Sequence, residues 1–260
     1  MEEAKNIPES DRIATFDQDG TLWVDKPLYT QFEYAIQNVK DTSTINPLKL
    51  DEGEIARIIT ETHAGMTMQE FDNRVQNWLK SAVHLRFKKP YTELIYQPML
   101  EVMRLLEKNG FTNYIVSDGG QEFIRVYSDA TYQVPVNRII GTAGKVKYSF
   151  IDGVSSIIKE KEILFINDKA GKVEGINLII GKRPVIAFGN SDGDKEMLEW
   201  TSHAKFLVHH DDADREYAYD KDSKVGTFSE ELMKEALSRN WHVISMKNDW
   251  KVIFPFQLNK

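Results

Sequence analysis

IATFDQDGTLWVDKP, residues 13–27, decides how the chain is read. A short apolar run, Ile13 to Phe16, ends in two aspartates, Asp17 and Asp19, with one residue between them, followed by Gly20 and Thr21. Two carboxylates this close oppose each other's ionisation unless a cation or a shared task holds them together. On an extended chain, residues two apart point to the same side, so both carboxyl groups face one pocket at the carboxyl end of a strand. A plain Asx turn leaving a strand has the same spacing, so the rest of the chain has to discriminate.

Three further stretches do so. TNYIVSDGG, residues 112–120, is a second apolar run that ends in Ser117 with glycines after it; a hydroxyl and free backbone N–H groups at the start of a helix near Gln121 make an anion site. RPVIAFGNSDGD, residues 183–194, is a third run, ending in Asn190, Asp192 and Asp194. Oxygen ligands gathered there beside Asp17 and Asp19 suit Mg²⁺, a hard cation held by few carboxylates plus water. NDKAGKVEGI, residues 167–176, offers Lys169 and Lys172, either of which would neutralise a carboxylate and a bound phosphate.

Strand-type runs at Ile13–Phe16, Tyr114–Val116, Arg138–Ile140, Val185–Phe188 and Lys205–Val208 alternate with helical stretches at 120–130, 168–179 and 193–201. An antiparallel pair is expected around Val146–Ile151 and Glu162–Ile166. Such alternation predicts an α/β fold: a parallel sheet with helices on both faces. Residues 28–95 interrupt it with helical periodicity. There Thr67 and Glu70 form a capping-box pair ahead of Phe71, Val75, Trp78 and Leu79, which share one helix face; Pro98 and Gly110 bracket a further helix. The expected organisation is a core of residues 1–27 and 96–260 with an inserted, mainly helical cap at 28–95, seated over the sheet's carboxyl edge where open α/β sheets bind ligands.

Composition narrows the classes. Over 260 residues, 33 Lys and Arg against 40 Asp and Glu give a formal charge of −7 with no basic stripe, which argues against a nucleic-acid partner. No run approaches the roughly 18 apolar residues of a spanning helix, and MEEAKNIPESDR lacks an apolar signal core, so no membrane partner is expected. The absence of cysteine excludes disulfides, thiolate metal sites and a cysteine nucleophile. It does not fix the compartment: a native start at Met1 implies a cytoplasmic protein, a removed targeting segment an exported one. LVHHDDADREYAYD, residues 207–220, looks like a metal cluster, but neighbours on an extended chain point to opposite sides, so it reads as a polar loop and helix start.

Taken in order, DQDGTLW, a strand ending in Ser117, a lysine at a helix start and GNSDGD make the chain resemble the haloacid dehalogenase-like hydrolases, in their phosphatase branch. The insertion point is similar to that of the helical cap of phosphoserine phosphatases. The resemblance covers about residues 12–208. It implies a Rossmann-like core and a Mg²⁺-dependent hydrolase of a small phosphorylated metabolite working through an aspartyl-phosphate. In that reading Asp17 is the nucleophile and Asp19 the general acid and base. Ser117, Gly119 and Lys169 bind phosphate, with Lys169 preferred over Lys172 because Ala170 and Val173 follow it as in the family. The metal ligands are Asp17, Asp19, Asn190 and Asp194. Dehalogenases of the family lack a carboxylate where Asp19 stands, so phosphate-ester chemistry is favoured.

Three positions depart from the family pattern. Asn190 replaces an aspartate, Asp118 a common glycine, and Lys26 the glutamate that grips phosphoserine's amino group, with Asp25 one place off. The same scaffold also serves phosphotransfer to an alcohol, or binding without turnover. Tyr29, Glu33, Arg57, His63 and Arg74 are cap candidates for substrate contact, each read first as a surface or packing residue.

Overall fold

The computed structural model describes residues 6–39, 45–50, 52–219, 223 and 225–258. Its centre is β1, Ile13–Phe16, every residue of which is buried. Apolar side chains on both faces of one strand require cover on both sides, as in a parallel sheet sandwiched by helices. Among the described residues the sheet has seven strands in the order β4-β3-β2-β1-β5-β6-β7. The flanking strands are β2 (Thr112–Gly120), β3 (Ile139–Ile151), β4 (Val154–Phe165), β5 (Ile186–Gly189), β6 (Ala204–His209) and β7 (His242–Ser245). All pairings are parallel except β3 with β4. β1 lies between β2 and β5, so Asp17, Ser117 and Asn190, each next after or near the end of its strand, emerge on one edge. This is the Rossmann-like arrangement expected, with its ligand edge at the carboxyl ends of the strands.

The antiparallel pair is longer than the sequence suggests. Runs read as separate at 138–140 and 146–151 form one strand, β3, and β4 begins at Val154 rather than Glu162. Irregular register around Gly144 lets β3 bend and continue. The turn is Asp152–Gly153, both at positive φ (53° and 80°), the two-residue hairpin geometry that an Asp-Gly pair favours.

Helices α1 (Thr30–Gln37), α2 (Glu52–His63) and α3 (Met68–Ser81) follow β1, and α4 (Gln97–Lys108) leads into β2. The Thr67–Glu70 capping box is formed, and Phe71, Val75 and Leu79 are buried beneath α3. One continuous apolar cluster joins Phe16 and Trp23 to Phe71, Val75 and Leu79, so α3 shares its core with the sheet. β4 meets the same layer: the N–H of Gly65 donates to Lys159 O (2.9 Å) and that of Lys159 to Met66 O (3.0 Å). The start of α1 lies over the strand ends, where Gln31 Oε1 accepts the N–H of Gly120 at 2.7 Å. The remaining helices are α5 (Gln121–Arg125), α6 (Ser128–Tyr132), α7 (Ala170–Ile179), α8 (Lys195–Trp200), α9 (Glu230–Ser238) and α10 (Met246–Asp249). Among the described residues no helix is long and apolar enough to cross a membrane.

Candidate active site

Asp17 extends the β1–β5 ladder by one bond, its N–H donating to Phe188 O at 2.9 Å. The chain then folds back. Gly20 takes φ +78° and its N–H reaches Trp23 O (2.9 Å), while the Leu22 N–H reaches Gln18 O (2.9 Å). A Cβ on Gly20 would lie 2.2 Å from Asn190 Nδ2, so both conformation and space demand glycine. The fold-back brings the Trp23 indole N–H to Asp19 Oδ1 at 2.7 Å. Trp23 is itself buried and stacked on Tyr127, with ring centroids 4.6 Å apart. The sequence DGTLW is thus a loop whose last residue holds the carboxyl group of its first.

At the end of β2, Ser117 Oγ accepts the Gly119 N–H (3.0 Å), and Asn167 Nδ2 donates to Ser117 O (2.8 Å). A Cβ on Gly119 would sit 3.2 Å from Ser117 Oγ and 3.4 Å from Asp19 Oδ2. Groups from two strands therefore converge on a bare α-carbon, leaving a small cradle that a side chain would fill.

The lysine differs from the one favoured by the sequence. Lys169 is largely exposed and pairs with Asp168 at 3.7 Å. Lys172, one turn further along α7, is buried, with Nζ 2.6 Å from Asp17 Oδ1 and 2.5 Å from Asp194 Oδ1. Lys169 precedes the first turn of α7, and that helix turns the face of Lys172, three residues on, toward the strand ends. Spacing to Ala170 and Val173 did not distinguish the two.

Asp194, expected as a ligand, is engaged by protein groups. Its Oδ1 is taken by Lys172, and its Oδ2 accepts from Asn190 N (2.9 Å), Ser191 N (3.1 Å) and Ser191 Oγ (3.3 Å). These bonds shape the loop and hold the lysine. Asp192 turns away, accepting from Ser229 Oγ (2.6 Å) and N (3.0 Å) ahead of α9. Asn190 remains. The outer atom of its amide lies 3.0 Å from Asp19 O, 3.2 Å from Asp17 Oδ2 and 2.9 Å from Thr21 Oγ1. Turned nitrogen-outward, the amide donates to all three; turned oxygen-outward, it completes a set of oxygens with Asp19 O and Asp17 Oδ2. Spacings near 3 Å match the edge of an octahedron with bonds of ~2.1 Å, the geometry of Mg²⁺. Among the described residues no three His, Cys, Asp or Glu side chains gather to hold a metal by themselves, so this set relies on a backbone carbonyl and an amide.

The field of the site is negative. Burial, then the neighbouring Asp194, pushes Asp17 well above the usual carboxylate range against the opposing Lys172. Asp19 is pushed up to about 8 by burial and by Asp118, with the Trp23 bond pulling the other way. Asp118 is raised as well, by burial, although Lys172 opposes this. Burial draws Lys172 down, but Asp17 and Asp194 outweigh it and keep it a cation. Lys172 alone faces Asp17, Asp19, Asp118 and Asp194 among the described residues, and a divalent cation would offset the charge these carboxyl groups carry when they ionise.

Of the cap candidates, the hydroxyl of Tyr29 accepts the Gly226 N–H at 3.4 Å beside the site. Arg57 pairs with Glu61 on the surface of α2 (3.3 Å), and His63 is buried against Tyr34 and Phe71. Sequence reasoning missed His210, which reaches the DGTLW loop: its Nε2 is 2.6 Å from Gly20 O. The only sequence signal was the polar run 207–220 after a core strand, and Asp220 lies outside the described residues.

No family model matches the chain, and no curated protein matches it. Solved structures do. A protein with unknown function from Bordetella pertussis Tohama I superposes with a TM-score of 0.58 at 16% identity, over 90% of this chain and 97% of that one. A phosphoserine phosphohydrolase-like protein from Francisella tularensis subsp. tularensis SCHU S4 aligns at TM-score 0.49 and 15% identity, over 90% and 94%. A HAD family hydrolase from Salmonella enterica subsp. enterica serovar Typhi aligns at TM-score 0.44 and 16% identity, over 75% and 62%. The superposition on the Bordetella protein shows a shared fold over nearly the whole of both chains. At these identities the likeness is one of fold, and the chemistry rests on the site's own residues.

Proposed function

We propose that the protein is a Mg²⁺-dependent phosphomonoesterase acting on a small phosphorylated metabolite, with residues 28–95 as the cap over its cleft. The observation that carries this reading is the division between the two aspartates. Burial raises both carboxyl groups; Lys172, 2.6 Å from Asp17 Oδ1, opposes this at Asp17 and together with a bound cation would hold it as the carboxylate, while Asp19, raised to about 8 and bonded to the Trp23 indole at 2.7 Å, would carry the proton. A nucleophile beside a protonated acid is what ester cleavage requires.

The Asp17 carboxylate attacks phosphorus, the P–O bond to the alcohol breaks, and Asp19 gives its proton to the departing oxygen. Asp19, now a carboxylate, takes a proton from water as that water attacks the aspartyl-phosphate, releasing phosphate and restoring Asp17. Lys172 and the Ser117 hydroxyl, whose oxygen accepts the Gly119 N–H and whose hydrogen is left to donate, would bear the phosphoryl oxygens. Asp17 Oδ2, Asp19 O and Asn190 Oδ1 would hold Mg²⁺, which supplies charge neutralisation at the phosphoryl group. Phosphoserine fits poorly as substrate because Lys26, whose Nζ donates to Ser223 Oγ at 2.7 Å and lies over the Tyr219 ring, offers no carboxylate to a substrate's amino group.

Purified protein is expected to release phosphate from a chromogenic phosphomonoester when MgCl₂ is present, and Asp17→Asn to abolish release while leaving the thermal transition in place. An equally active Asp17→Asn protein would overturn the assignment of the nucleophile.

A further inference from the structure

His210 is fully buried, yet its two ring nitrogens face different parts of the molecule. Nε2 lies 2.6 Å from Gly20 O in the loop that carries Asp19, and Nδ1 lies 3.0 Å from Glu216 Oε2. A carbonyl oxygen only accepts, so Nε2 carries a hydrogen and donates it. Glu216, fully buried as well, is fixed by the Tyr217 N–H on Oε2 (2.6 Å) and the Tyr96 hydroxyl near Oε1 (3.4 Å). The imidazole stacks on Tyr219 at 3.8 Å between centroids, and the Tyr219 hydroxyl donates to Asp25, two residues beyond Trp23.

This segment has its own anchor. The Arg215 guanidinium binds Asp212 and donates to the carbonyls of Met246 (2.7 Å) and Trp250 (2.9 Å), tying residues 210–219 to the chain around α10. His210 therefore presents a donor from a fixed frame to the Gly20 carbonyl, in a loop whose far end is held separately by the Tyr96 N–H on Leu22 O at 2.8 Å. The peptide it holds stands between two working groups: Asp19 on one side, and on the other Thr21, whose hydroxyl meets Asn190 at 2.9 Å.

We infer that His210 is a positioning residue: its Nε2–H···O=C bond to Gly20, oriented by Glu216, sets the peptide that aims both the Asp19 carboxyl group and the Thr21–Asn190 contact. The inference rests on the phosphatase reading for its kinetic consequence, and on geometry alone for its effect on the loop. A glutamine amide can occupy the place of Nε2, whereas an asparagine amide mimics only Nδ1 and falls short of Gly20. The comparison of these two therefore isolates the bond from the packing of the ring.

The test uses the full chain as His210→Ala, His210→Gln and His210→Asn. Two readouts are followed: turnover of the chromogenic ester with MgCl₂, and hydrogen exchange of the peptide covering residues 17–24. Asn and Ala are expected to lower kcat about tenfold or more with KM little changed, and to speed exchange of the loop amides; Gln should recover most of the lost kcat and of the protection. If Ala does not fold, the Gln and Asn pair carries the comparison. Equal kcat and equal exchange in Gln and Asn would overturn the role of the Gly20 bond. A wild-type protein without turnover would sink the phosphatase reading, and the exchange comparison would still decide on His210.

Discussion

Lys172 and Asp17 are 155 residues apart in sequence and 2.6 Å apart in space, and the same ammonium lies 2.5 Å from Asp194. A lone cation shared by two buried carboxylates keeps both β1 and the 190–194 loop in register with α7. Removing it strands two buried charges, which costs more than the pair contributes while intact.

Lys172→Ala should accordingly abolish phosphate release and destabilise the fold by about 3–5 kcal/mol, read from the urea midpoint at constant m-value. Lys169→Ala, at an exposed position, should stay within about 0.5 kcal/mol of the wild type. Equal losses in the two variants would contradict the placement of the working lysine.

Asn190 offers a sharper test of the cation site. Its amide contacts Asp17 Oδ2 and Asp19 O as a neutral group, so without metal it serves as a hydrogen-bond donor that relieves their repulsion. Asn190→Asp removes that donor and adds a charge to a buried, already acidic site. The metal-free variant should melt several degrees below the wild type. Saturating MgCl₂ should raise its melting temperature more than it raises that of the wild type, because a charged oxygen replaces a neutral one as ligand. Identical Mg²⁺ responses in the two proteins would remove Asn190 from the ligand set.

How much of this was legible beforehand differs by kind of signal. β1, the Ser117 strand and the GNSDGD loop were readable because short apolar runs ending in polar residues mark buried parallel strands directly. The choice between Lys169 and Lys172 was not, because both lie within one helical turn and only the direction of α7 against the sheet decides. Asp194 read as a ligand by residue type, whereas its bonds to the backbone N–H groups of Asn190 and Ser191 are ones a sequence does not display. His210 was hidden for a third reason: its partner Gly20 is 190 residues away, and a histidine bound to a carbonyl leaves no pattern in its own neighbourhood. The Asp152–Gly153 turn, by contrast, is a local signal: an Asp-Gly pair directly after the run Val146–Ile151.

The remaining prediction concerns His63, at the end of α2. It is buried between Tyr34 and Phe71, its Nε2 has no hydrogen-bond partner, and burial, then Lys159, lowers its pKa to about 3. In the unfolded chain the same group titrates near 6.5. Below that pH the unfolded state binds a proton that the folded state refuses, so stability present above about 6.5 is lost as the pH falls toward about 3. From pH 7 to pH 5 the loss assigned to this one residue is about 2 kcal/mol. His63→Phe fills the same space between the aromatic rings without titrating. Unfolding free energies measured by urea at the two pH values should therefore converge in the variant, its acid-side loss being smaller than the wild type's by about that amount. Parallel pH dependences in the two proteins would show that His63 takes up its proton in the folded state as readily as in water.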